Sequence, residues 1–154
     1  MKEKKTLKTT KIRKLMVKDL PQIIRIEEAI TQAKVGQQKK TFLRDHIQKD
    51  GSVSFVAQVE GQVVGFIISE ILTNSFGLEQ GGWIENFGIS PQYMGQGIGQ
   101  TLARHLFETY RKKKIFEIYT SVRWDSVDLL SFFKSIGFDR SNFINLYKRL
   151  DLKE

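Results

Sequence analysis

From Ile89 to Ala103 the chain reads I-S-P-Q-Y-M-G-Q-G-I-G-Q-T-L-A: a strand-forming segment ends, a short turn follows, and Gly95, Gly97 and Gly99 run straight into an amphipathic helix. Glycine lets the backbone turn tightly and brings its N–H groups close to a ligand with no Cβ in the way. The start of a helix adds unpaired N–H donors and a partial positive charge. Together these features make a cradle for phosphate oxygens. Two well-known cradles fit poorly. A P-loop needs a lysine followed by Ser or Thr, which this stretch lacks. A dinucleotide fingerprint needs a third glycine where Gln100 stands, in a tight β-α-β unit rather than after antiparallel strands.

Working outward, residues 98–113 read as a helix with Leu102, Leu106 and Tyr110 on one buried face. Upstream, 83–89 is a strand preceded by a loose loop over 73–82. A hairpin precedes that loop: 54–60 alternates, Gly61-Gln62 turns, and 63–71 continues. Residues 12–17 form a first strand. Asp19 then caps a helix carrying Leu20, Ile23, Ile24, Ile26 and Ala29, with Pro21 in its first turn. A second helix spans 37–48 and Asp50-Gly51 ends it. Downstream, 115–122 is a buried strand, Asp125 caps a helix running to Ile136, Gly137 is its C-cap, and 143–150 is a final strand. The predicted order is β-α-α-β-β-β-α-β-α-β, a mixed α/β (α+β) plan in one domain over 12–154, after a basic flexible tail over 1–11.

Composition narrows the function. Hydrophobic residues make up 40% and charged residues 27%, so the chain can build a core. Cysteine is absent, which excludes disulfides and thiolate chemistry. His46 and His105 belong to no metal-ligand pattern and read as surface or boundary residues, so no metal is expected. The N-terminal stretch has no apolar h-region and nothing approaches a membrane span, which predicts a cytoplasmic protein with no membrane partner. The net charge of +8 attracts anions without choosing among them.

The glycine stretch resembles motif A of the GNAT family of acyl-CoA-dependent N-acyltransferases: Arg or Gln, two residues, Gly, one residue, then Gly or Ala. Met94, Gly97 and Gly99 occupy those positions, with Gly95, Gln96, Ile98 and Leu102 as the family has them and Met94 as the departure. The resemblance extends to Ile12-Arg13-Lys14 with Asp19-Leu20-Pro21, to the hairpin from Phe55 to Ile68, and to L-L-S-F-F-K-S-I-G-F from Leu129 to Phe138. It implies a GNAT-like fold, a mixed, mostly antiparallel sheet of about six or seven strands flanked by about four helices. It also implies acetyl-CoA as cosubstrate, contacted by Ile89, Met94, Gly95, Gln96, Gly97, Ile98, Gly99, Gln100 and Phe133. A homodimer is common among similar proteins.

Acetyl transfer to an amine needs a base, a donor for the oxyanion, and sometimes a proton for the departing thiolate. The resemblance places the Ile89 backbone N–H at the thioester oxygen, with Gly88 allowing a local bulge. Glu85 is the candidate base, because a carboxylate on an apolar strand is costly without purpose; an exposed edge or a structural hydrogen bond is the plain alternative. Asn86 falls on the other face by alternation. The family's usual acid, a tyrosine, matches Phe133, and its usual Asn matches Ser126, so Tyr119, Tyr147 and Tyr93 remain as acid candidates. Phe42, Ile47 and Phe76 fall in segments that in this family form the acceptor wall, or simply pack. The basic run 111–114 complements a helix dipole or attracts the adenosine phosphates.

The expected function is therefore an N-acetyltransferase acting on a primary amine of a small molecule, amino acid or protein, by direct attack in a ternary complex. The alternative is a catalytically weak acyl-CoA-binding module, and nucleic-acid binding through the tail is a third reading that no motif supports.

Overall fold

Five strands pair in chain order in one sheet: β1 (Thr10–Lys14), β2 (Phe55–Val59), β3 (Gln62–Ser75), β4 (Leu78–Ile89) and β5 (Ile118–Thr120). The first three pairings are antiparallel and β4–β5 is parallel. Helices α1 (Leu20–Thr31) and α2 (Gln37–Gln48) lie between β1 and β2, and α3 (Ile98–Lys112) lies between β4 and β5. This computed structural model describes residues 9–152 apart from Phe76, and it divides into two units, 1–121 and 122–154. The whole sheet belongs to the first. The second contains α4 (Val127–Ser135). Most of the expected tail lies outside the described residues, although Thr10 and Lys11 already pair in β1.

The sheet separates two apolar layers. On one face Phe66, Ile68 and Val56 pack with Leu20, Ile23 and Ile26 of α1 and Leu43 of α2. On the other lies α3, whose Leu102, Leu106 and Tyr110 are fully buried. The Tyr110 ring lies over Gly82, where an added Cβ would come within 2.8 Å of Cζ. Its hydroxyl meets Ser69 Oγ at 2.8 Å and donates to the Glu70 carbonyl at 3.1 Å. A buried phenol is thereby satisfied, which is the condition for keeping it in a core.

Several boundaries differ from the sequence reading for local reasons. The β2–β3 turn is centred on Glu60-Gly61, with φ of 50° and 77°, one residue earlier than expected. Two positive φ values match the twist of a tight hairpin. The loose loop expected over 73–82 is instead the closing part of a long β3–β4 hairpin, with Ser75 opposite Leu78. Asp19 occupies the N-cap position of α1 but makes no capping bond. Its carboxylate accepts a fork from Arg13 at 2.6 and 2.8 Å and the Met16 N–H at 2.8 Å. Asp125 likewise pairs with Arg123, and Ser126 stands at the N-cap of α4.

Helix α3 ends although its last residues are good helix formers. Lys114 adopts φ of 62°, its N–H donates to Arg111 and the Ile115 N–H donates to Tyr110. This is a Schellman ending with lysine in the place usually held by glycine. Gly137, with φ of 99°, ends α4 by the same pair of bonds, as expected.

The expected strand over 115–122 shrinks to Ile118–Thr120, and among the described residues no strand is assigned over 143–150. The sheet therefore has five strands rather than six or seven. Ile144, Leu146, Tyr147 and Leu150 are all exposed. The pattern there satisfies a local β preference, and the described sheet ends at β5.

Candidate active site

The parallel β4–β5 ladder covers only Gly82 to Ile84 against Ile118 to Thr120. Beyond Ile84, β4 continues for five residues, over which its described ladder is with β3. The Ser90 N–H donates to the Val64 carbonyl at 2.8 Å, toward β3. Successive N–H groups on a strand point to opposite edges, so the Ile89 N–H points away from β3, to the edge that β5 leaves open. Phe87 has the same parity, and its N–H donates to the Asn86 Oδ1 at 2.9 Å. Ile89 itself is buried.

Further on, Gly95 and Gly97 hold φ of 77° and 80°, and a Cβ added at either would meet nothing within 4 Å. Glycine at both positions keeps an open, left-handed turn that other residues resist. Gly97 is the N-cap of α3 with no side-chain cap. The first bond back to it comes from the Thr101 N–H, at 3.1 Å, so the N–H groups of Ile98, Gly99 and Gln100 belong to the unpaired first turn. Ile98 and Gly99 are buried, whereas Met94, Gln96 and Gln100 are exposed. Met94, where the motif calls for a polar residue, offers only its backbone.

Glu85 sits at a break in the β3–β4 register: Ile68 faces Asn86 and Ser69 faces Ile84, so Glu85 is the extra residue of a bulge. The strict alternation expected across Glu85 and Asn86 is interrupted there, because a bulge re-aims the side chains of the longer strand. Around Glu85 the structure gathers groups that the sequence reading passed over. Glu70, on β3 opposite Trp83, is 8% exposed and accepts from Lys49 Nζ at 2.8 Å. Glu85 lies two residues beyond Trp83 on β4, and its side chain is exposed, the plain alternative to a buried base. His46 of α2 is 5% exposed rather than a surface residue, and its Nε2 has no hydrogen-bond partner. Desolvation raises the Glu85 pKa above the ordinary carboxylate value and the Glu70 charge adds to it, while His46 and Lys49 pull it back. Glu70 carried a readable signal, since it is the one charge in the apolar run from Phe66 to Leu72.

The acid candidates are placed differently. Tyr119, on β5 opposite Trp83, donates its hydroxyl to Glu117 at 2.6 Å, and that bond raises its pKa. Tyr93 is half-buried in the turn before the glycines. Tyr147 is exposed in the second unit, and Phe133 is a core side chain there, edge-on to Phe138 at 5.1 Å. Of the expected acceptor-wall residues, Ile47 packs on the core, Phe42 is exposed with its ring 5.6 Å from His46, and Phe76 lies outside the described residues. Among the described residues no group of side chains forms a metal site, and no helix is long and apolar enough to cross a membrane.

A short parallel ladder beside a glycine-lined helix start, with an exposed carboxylate on the same strand, offers donors to an acyl oxygen and to phosphates. The family model for the acetyltransferase (GNAT) family matches residues 20–138, and the chain belongs to that family, which makes it an acyltransferase. It is 27% identical to an N-alpha-acetyltransferase of Sulfurisphaera tokodaii, over 94% of this chain and 89% of that protein. It is 24% identical to the [ribosomal protein bS18]-alanine N-acetyltransferase of Escherichia coli, over 93% and 90%. Among solved structures it shares the fold of a soil-metagenome aminoglycoside acetyltransferase in complex with sisomicin, with a TM-score of 0.77, 24% identity, and coverage of 92% of this chain and 97% of that one. An aminoglycoside N-acetyltransferase in complex with CoA also aligns with a TM-score of 0.77, at 15% identity over 93% and 96%.

Proposed function

We propose that this chain transfers the acetyl group of acetyl-CoA to a primary amine by direct attack in a ternary complex, in the cytoplasm. The observation that carries the reading is the run from Ile89 to Gly99. It sets an outward-facing strand N–H at an open sheet edge a few residues before a glycine turn with room at each missing Cβ. That turn fits a pyrophosphate, because a helix start with no side-chain cap offers donors and positive charge to an anion. The relatives that act on amino groups, and the fold neighbour in complex with CoA, support the same assignment.

Acetyl-CoA supplies an activated acyl thioester. The protein's own groups do the rest. Gly95 and Gly97 with the N–H groups of Ile98, Gly99 and Gln100 hold the phosphates. The Ile89 N–H donates to the thioester oxygen as negative charge builds on it. Glu85 takes the proton that the acceptor's ammonium must lose, and its raised pKa brings it nearer the pH at which a base is both ionised and effective. No side-chain acid is required: a thiolate is a far better leaving group than an alkoxide, Phe133 has no hydroxyl, and the Tyr119 proton is committed to Glu117.

Isothermal titration with acetyl-CoA, followed by CoA release across a panel of primary amines, tests this. Acetyl-CoA binding with turnover that Glu85→Gln suppresses is the expected result. Binding without turnover on any amine selects the acyl-CoA-binding module instead, and absence of binding refutes both.

A further inference from the structure

Toward its C-terminal end α1 is laced to its surroundings by ion pairs, Glu28 with Lys34 and Glu27 with Lys39 of α2. Toward its start the pattern changes. There the turn before α1, the first residues of α1 and the facing side of α2 enclose a groove of about 590 Å³. Lys18, Arg25, Lys40 and Arg44 line it, and no acidic residue does. Among the described residues none of the four makes an ion pair. Asp19, the neighbour of Lys18, is held by the Arg13 fork, and Arg25 uses only its Nε–H, on the Pro21 carbonyl at 3.3 Å. The rest of the lining is largely apolar. Leu20 is buried and Ile24 half-buried, whereas Lys18, Arg25 and Arg44 are exposed, so apolar groups form the floor and cations the rim. Cations around a concavity with low-dielectric walls concentrate a positive potential that draws in an anion.

The other end of α1 reaches the candidate active site: Ile30 Cδ1 lies 3.1 Å from the position of a Cβ at Gly88, next to Ile89. At about 1.5 Å per residue, Ile24 and Leu20 stand about 9 and 15 Å back along the helix from Ile30. An extended chain covers about 3.3 Å per residue, so about three to five residues span that distance. Resting on the acetyltransferase reading above, we propose that the acceptor is a protein, and that this groove docks an acidic segment of it with interleaved apolar residues, about three to five residues from the modified amine. Carboxylates of the segment meet Arg25 and Arg44, whose planar forks take them bidentately, while its apolar side chains cover Leu20 and Ile24. A nucleic acid finds cations here but no aromatic side chain to stack on, because none lines the groove. A second copy of the chain is repelled by the shared net charge of +8.

The test is fluorescence anisotropy of a labelled peptide, E-E-L-D-E-L-E-D-L, with the full chain and no acetyl-CoA. The peptide is blocked at its N-terminus so that it cannot serve as an acceptor. Arg25→Glu combined with Arg44→Glu should weaken binding at least about tenfold, since each reversal turns an attraction into a like-charge contact. Arg104→Glu combined with Lys112→Glu makes the same change in net charge on α3, across the sheet, and should stay within about twofold of the wild type. The peptide with each leucine replaced by glutamine should bind at least about fivefold more weakly. No binding of the leucine peptide, equal loss in the two double variants, or equal binding of the two peptides overturns the proposal. A single-stranded oligonucleotide of equal charge that binds more tightly than the peptide, and is lost with the Arg25 and Arg44 reversals, assigns the groove to nucleic acid instead. Thermal melts identify a variant that fails to fold, and Arg44→Gln, which should weaken binding about threefold, then decides. In turnover, the leucine segment placed about four residues from a free amine should lower KM at least about fivefold against its glutamine counterpart, with kcat unchanged; equal KM values overturn the groove's part in acceptor choice. Failure of the wild type to bind acetyl-CoA refutes the acetyltransferase reading and leaves the anisotropy result standing.

Discussion

Replacing Gly97 by alanine adds one methyl group to the molecule and should separate the cost of the backbone from the cost of the cradle. Gly97 holds φ of 80°, and nothing lies within 4 Å of the position a Cβ would take. Steric crowding within the chain is therefore absent, and only the left-handed conformation is penalised, by about 1–2 kcal/mol. Alanine also restricts the unfolded chain, which returns about 0.4–1 kcal/mol. The net loss is then at most about 1.6 kcal/mol, or a fall in Tm of up to about 6 °C for a chain of this length. Gly61 provides the control, because it has φ of 77° and equally open surroundings in the β2–β3 turn. Gly61→Ala should show the same thermal loss. Acetyl-CoA affinity should distinguish the two. If phosphate oxygens lie against the Gly97 backbone, the new methyl group displaces at least one charge-assisted hydrogen bond of about 1.5–3 kcal/mol. Titration calorimetry should then show binding weakened roughly 10- to 150-fold for Gly97→Ala and unchanged for Gly61→Ala. Equal affinities in the two variants would refute the placement of the phosphates at this turn.

The acid limb of kcat/KM should follow ionisation of Glu85, rising as its raised pKa is passed; Glu70→Gln removes the like charge and should move that limb to lower pH, and a limb that stays put or moves up would uncouple the two carboxylates. Because the folded-state pKa of Glu85 is raised, its charge opposes folding above the ordinary carboxylate pKa. Glu85→Gln should therefore be slightly more stable than the wild type at pH 7, by under about 1 kcal/mol, with the difference vanishing below about pH 4 in matched melts. Asp19 has the opposite sign. Burial pushes its carboxyl up, but the Arg13 fork and the Met16 N–H outweigh burial and hold the pKa below the ordinary value. Its contribution is present at neutral pH and lost as pH falls through the depressed pKa, and Asp19→Ala should cost about 3–5 kcal/mol in urea unfolding at pH 7, with the difference shrinking steadily as the pH is lowered. Gly82→Ala should cost about 1–3 kcal/mol, since the Tyr110 ring that it meets at 2.8 Å is anchored by its hydroxyl and cannot yield; a melt unchanged from wild type would show that it can.

The sequence by itself determined the parts whose causes are local. The glycine turn into α3, the apolar stripe of Leu102, Leu106 and Tyr110, the limits of α2 and the Gly137 ending of α4 each follow from neighbours a few residues apart. Glu85 could be singled out for the same reason, as a charge in an apolar strand. Only the tertiary structure decided what depends on partners far along the chain. The residues over 143–150 have the composition of a strand but lie outside the described sheet, and β5 is cut to three residues. The bulge at Glu85 exists because β3 and β4 slip by one residue between Ile68 and Ser69. The company of Glu85 is likewise non-local: Glu70 comes from the neighbouring strand, and His46 and Lys49 arrive from α2 and the residue after it, more than thirty residues upstream. A carboxylate can be noticed in a sequence. Its pKa and its ligand are set by the charges that folding brings to it.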